Sequence, residues 1–170
     1  MHNSVNRSIR YSAMLCHLMI LIGQPLILCL IIFSKQFQRI NQDLNLLFRC
    51  LFFWPLAGAI GSTILAGIIW RVTRNRHQFI VASGREAMNF LLSIVLYLVA
   101  IDAITVIFSY GFAYINVPEP IGFFYMFGTL LNSLVVIATL LIVVWASIQV
   151  SQGRMYSYPY ILRFLRPIYR

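Results

Sequence analysis

The chain gives chemistry little to work with: its 170 residues include four acidic ones and three histidines. Glu86 stands beside Arg85, immediately before a long apolar run. With Tyr156 from the far end of the chain, it offers the makings of an acid–base site at a membrane surface. The same stretch also has a structural reading. In "SGRE", Ser83 and Glu86 stand at capping-box spacing, which predicts Ser83 at a helix N-cap. It also predicts Glu86 bonding back and complementing the helix dipole; the residues favour the cap. Asp102 lies deep in "LYLVAIDAITVIF", where an acid costs a few kcal/mol and must be protonated, paired or hydrated. Its candidate partners are His17, Asn132 and Thr139. An interhelical hydrogen bond from the neutral acid is the favoured reading, with a proton or ion step as the alternative. His17 and Cys16 are neighbours, so on a helix they point about 100° apart and make a poor metal pair. No nucleophile elbow, phosphate loop, paired carboxylates or H-x-x-x-H spacing is present, so no cofactor, metal or catalytic residue is expected.

The elements that must position these residues are membrane helices. Hydrophobic residues make up 61% of the sequence and charged ones 10%, against about half and about a quarter in a soluble domain. A soluble core cannot absorb that excess, whereas a bilayer can. Four apolar stretches are long enough to span, at about 11–33, 46–70, 87–110 and 123–148. They predict an all-α integral membrane four-helix bundle, a single membrane domain over 1–170, followed by a tail at 153–170. The first stretch exceeds a signal-peptide core and carries Gln24-Pro25, which predicts a retained, kinked helix. Pro55 is expected to bend or start the second. The polar connection "SKQFQRINQDLN" suits headgroups or water and a short interfacial helix. Cys16, Cys29 and Cys50 form no C-x-x-C pair and read as small apolar side chains.

Basic residues set the orientation. Four spans place the N-terminus, the second connection and the tail on one side. That side carries ten of the thirteen Lys and Arg residues: Arg7 and Arg10; Arg71, Arg74, Arg76 and Arg85; Arg154, Arg163, Arg166 and Arg170. Both termini are therefore expected to face the cytoplasm or stroma. The net charge of +9 then reads as orientation and contact with anionic headgroups instead of nucleic-acid binding.

Two faces predict packing. Gly58, Ser62 and Ala66 recur every fourth residue, which lets a second helix approach closely, from the same chain or in a homodimer. Glu86, Asn89, Ser93 and Tyr97 fall within about 80° of one another and predict an inward polar stripe. Asp102, Thr105 and Ser109 cluster on a different side. The tail "GRMYSYPYILRFLRPIYR" interleaves tyrosines with arginines, a mixture suited to the interface, and is expected to lie along the cytoplasmic surface. Glu86 is expected to organise that surface, in contact with Tyr156 and Tyr158.

"GREAMNF" (84–90), the tail's Gly153, Tyr156, Tyr158 and Pro159 followed by "ILRF", "AMLCHL" (13–18) and "WPL…GIIW" (54–70) together resemble a family of small bacterial and plastid membrane proteins. That family includes the twenty-kilodalton membrane subunit of the chloroplast inner-envelope protein translocon. The resemblance covers about 11–166. The acidic residues and histidine usual before the glycine are replaced here by Val81-Ala82-Ser83, and a usual glutamine by Leu91. The resemblance implies a four-helix bundle with both termini on the inner side, a bacterial inner, thylakoid or plastid inner-envelope membrane, and a role in protein translocation or complex assembly. The expectation is a non-catalytic multi-pass subunit of a larger membrane complex. A small channel or transporter using Asp102 and a membrane-surface enzyme using Glu86 are the alternatives.

Overall fold

The structure is a computed structural model and describes residues 6–33, 44–73, 75, 77–114, 119–158 and 161–165. Among these there are four helices and no strand: α1 (Arg7–Phe33), α2 (Leu44–Thr73), α3 (Gln78–Tyr114) and α4 (Glu119–Ser151). Phe52–Thr73, Gln78–Phe112 and Gly122–Ser151 are long and apolar enough to cross a membrane. With 37 residues, α3 extends about 55 Å at 1.5 Å per residue, well beyond a hydrocarbon layer of about 30 Å. Every helix touches every other; consecutive helices pack together and α4 closes back on α1.

Local chemistry explains the ends. The predicted cap is in the wrong place: α3 begins at Gln78, so Ser83 lies inside it and Glu86 more than two turns in. The cap is His77. Its carbonyl accepts from the N–H groups of Ile80 and Val81, and its Nδ1 accepts from Phe79 N–H at 3.1 Å. S-x-x-E spacing misled because Ser83 has a stronger use in the core. At the other end of the bundle's chain path, α4 stops in a Schellman turn. Gly153 N–H donates to Val150 O at 2.9 Å and Arg154 N–H to Gln149 O at 3.1 Å. Gly153 takes φ +80°, which a side chain would resist. Of the two readings of Pro55, the start of a helix is excluded. Pro55 sits within α2, eleven residues from its start, and α1 runs on through Gln24-Pro25. The expected interfacial helix between α1 and α2 falls at 34–43, outside the described residues.

Small residues let the helices close. Gly58, Ser62 and Ala66 are all buried, and the face they form is taken up within the chain by α1, not left for a second copy. Ser62 Oγ donates to Gly58 O at 2.8 Å along its own helix and approaches Ile20 O of α1 at 3.3 Å. A methyl group on Gly23 would come within 2.7 Å of Ser62 Cα, so the two backbones meet here. The apolar core gathers Ile20, Ala66, Phe90, Leu91, Val143 and Ala146 from the four helices, together with Tyr158 from the tail. On the far side of α2, Ile60, Ile64 and Ile68 are exposed, as a lipid-facing row should be.

Candidate functional site

The inward face of α3 becomes a site only when the tail is added. Asn89, at 1% exposure, binds the tail backbone twice: Nδ2 donates to Leu165 O at 3.2 Å, and Oδ1 accepts from Leu165 N–H at 2.8 Å. One turn on, Ser93 Oγ accepts from Leu162 N–H at 2.9 Å. It also donates to Asn89 O at 2.8 Å and approaches Leu162 O at 3.4 Å. The tail is irregular backbone, whose unpaired N–H and C=O groups are tolerated at membrane depth only inside protein. The stripe supplies the missing partners.

Beside this seam, three side chains from three elements meet. Nε2 of His17 (α1) and Ser83 Oγ (α3) are hydrogen-bonded at 2.8 Å, and Nδ1 of His17 and the Tyr158 hydroxyl at 2.5 Å. All three are buried. A neutral imidazole has one donor and one acceptor nitrogen, so one hydroxyl donates and the other accepts. Tyr158 also stacks on Phe90, with centroids 4.2 Å apart and planes 11° apart, and meets Tyr156 edge-on. Burial pushes the Tyr158 phenol well above its usual value, and the charges Tyr156 and Glu86 can carry push it the same way.

The tail docks on the bundle through its backbone at residues 162 and 165 and through the Tyr158 phenol, while Arg154, Met155, Leu162, Arg163 and Phe164 stay exposed. Among the described residues no hydrogen bond joins Glu86 to the tail: Glu86 is half-buried, its Oε2 is enclosed without a hydrogen bond, and Tyr158 bonds to His17 instead. Arg85 and Tyr156 are half-buried at the same end, and Pro159 lies outside the described residues. Tyr97, at the far end of the stripe, is exposed.

Asp102 belongs to a separate cluster. The predicted choice among His17, Asn132 and Thr139 resolves to Asn132, whose Nδ2 donates to Asp102 Oδ1 at 2.8 Å and to Phe52 O of α2 at 3.3 Å. His17 faces the tail, and Thr139 donates along its own helix to Val135 O. Thr105 and Ser109 are buried on the same side of α3 as Asp102. Cys16 is buried, with Sγ 3.7 Å from Ser12 O. No group of three His, Cys, Asp or Glu side chains that could hold a metal ion occurs among the described residues.

Long apolar helices, small-residue contacts and a polar seam closed by the protein's own tail define a multi-pass α-helical membrane protein. The chain belongs to the magnetosome magnetite crystal formation protein family, whose model matches residues 41–165. No curated protein and no solved structure matches it. The match overturns the resemblance to the translocon-subunit family. "GREAMNF" and the tail motif both fall inside the matched region, and their residues have packing work that implies no translocation. Gly84 leaves room for the Trp70 ring, whose Cγ a methyl group there would approach to 2.9 Å. Asn89 holds the tail and Phe90 stacks on Tyr158.

Proposed function

We propose that the protein is a non-catalytic, four-span structural subunit of a membrane assembly, with both termini on the cytoplasmic side. The family it belongs to is named for magnetosome magnetite crystal formation, which supports placing that assembly at a magnetosome. The observation that carries the structural role is the use made of the polar seam. Asn89, Ser93, His17 and Ser83, the polar side chains best placed for a site, all engage the chain itself. A rigid, tail-locked bundle suits a part that other subunits are built on.

The topology has support from geometry as well as charge. His17 near the start of α1, Ser83 near the start of α3, and the tail after α4 meet at one end of the bundle. Chain segments that precede odd-numbered spans and follow the fourth belong on one side, and here they carry Arg7, Arg10, Arg85, Arg154 and Arg163.

Crosslinking in the native membrane and purification in mild detergent should recover the tagged protein with larger partners; recovery only as a lone monomer would overturn the proposal. Expression in a magnetosome-forming cell that lacks its own family member should restore crystal formation, and Glu86→Gln should restore it equally. Failure of Glu86→Gln alone would give Glu86 a chemical role and end the non-catalytic reading.

A further inference from the structure

The Asp102–Asn132 pair holds two buried oxygens with no hydrogen-bond partner, Asp102 Oδ2 and Asn132 Oδ1. The residues are 4% and 0% exposed. An orphaned polar oxygen in this setting is costly, and two on one hydrogen-bonded pair call for an occupant.

The orientation of the Asn132 amide is fixed by its neighbours. Both hydrogens of Nδ2 are engaged, one by Asp102 Oδ1 and the other by the Phe52 carbonyl. Turning the amide over would aim its oxygen at two acceptors. Asn132 Oδ1 is therefore an acceptor in need of a donor, beside a carboxyl whose second oxygen is equally unserved. No side chain among the described residues supplies one. The neighbours are Thr105, one turn along α3, Asn132 on α4 and the Phe52 carbonyl on α2, and Asp102 Oδ2 has no hydrogen-bond partner among the described residues. A water needs two to four polar partners and room for itself. A hard cation needs about six oxygens. A proton needs neither.

We infer that Asp102 is a proton-binding site within the membrane. The proton sits on Oδ2 and is donated to Asn132 Oδ1, while Asn132 Nδ2 donates to Oδ1, so that acid and amide close a doubly hydrogen-bonded ring between α3 and α4. The ring serves both orphaned oxygens and leaves the second amide hydrogen to tie α4 to the Phe52 carbonyl of α2. No charge remains at membrane depth, which is the condition under which an acid is tolerated there.

The sequence contains two aspartates, Asp43 and Asp102, which makes the test clean. The full-length protein, carrying aspartate labelled with carbon-13 at its side-chain carboxyl, is reconstituted in lipid nanodiscs at neutral pH and its infrared spectrum recorded. A protonated-carboxyl C=O stretch that moves with the label is expected. Asp102→Asn should abolish it, and Asn132→Leu should shift it to higher frequency by removing the ring. The labelled wild-type protein carries the result even if a variant fails to fold. A wild-type spectrum holding only ionised-carboxylate bands at neutral pH would overturn the proposal. So would carboxylate bands that shift when sodium is exchanged for potassium, which would make the occupant a cation. A protonated band unmoved by Asp102→Asn would equally overturn it.

Discussion

The two polar regions of α3 lie some 160° apart around the helix and obey different rules. At the tail end, Asn89 and Ser93 bond to backbone, and His17 joins two hydroxyls, so the side chains that matter are served from outside the helices. At the Asp102 end, everything is helix against helix, and two oxygens go unserved by the described protein groups. The lesson is that a membrane bundle has two ways to bury polarity. It can fold irregular chain onto a polar stripe, or it can pair side chains across helices and neutralise what remains. The first way makes a detachable piece; the second makes a joint.

That difference predicts separable failures. The largest effect belongs to Asn89→Leu, which strands the N–H and C=O of Leu165 at about 1–3 kcal/mol each. The loss should be local: protease access to the tail should rise steeply, with helix content retained. Loss of helical circular dichroism at the same point would erase the distinction between detachable piece and joint. Next comes Gly128→Val at the other end. A Cβ there would press within 2.7 Å of the Phe52 ring, and overpacking of this kind costs about 1–3 kcal/mol. It should lower the unfolding midpoint in detergent while leaving tail access unchanged until the whole bundle melts. Ser93→Ala removes one acceptor from the tail, and should cost about 1 kcal/mol and raise tail access modestly. The smallest effect at neutral pH is that of Tyr158→Phe, at most about 1 kcal/mol for one neutral hydrogen bond.

Tyr158 also gives the tail a pH limit. Its docked phenol is held above the free value, so the neutral form is the docked one. The stabilisation is complete below the ordinary tyrosine value of about 10 and is lost as pH rises through the docked-state value. Alkaline release of the tail, followed by proteolysis, should disappear in Tyr158→Phe.

Much of this was legible in the residues. The apolar stretches gave the four helices, and helical periodicity placed Asn89 and Ser93 on one face and Asp102 on another. The partners were harder. Asn89 and Ser93 bind backbone, and a backbone N–H looks the same in every residue, so nothing in "YILRFL" advertises the docking. His17 and Tyr158 are separated by 141 positions, and neither carries a motif. The capping box at Ser83 was a genuine local signal that lost to tertiary demand, and the cap that formed uses an imidazole, outside the usual set of capping side chains. The translocon resemblance failed for a related reason. Its residues are those that helix packing and tail docking require, and such needs are shared well beyond one function.

The tail's place in the bundle also sets an order of events during biosynthesis. The seam at Asn89 emerges from the ribosome 76 residues before Leu165, the residue that fills it. At about 5–20 residues per second, the interval is on the order of 4–15 s. Throughout it, α3 presents an amide and a hydroxyl to whatever adjoins it in the insertion machinery or the bilayer. The newborn helices must therefore be held in a provisional arrangement, and maturation of the bundle is a separate step that begins only once the tail through Leu165 has been made.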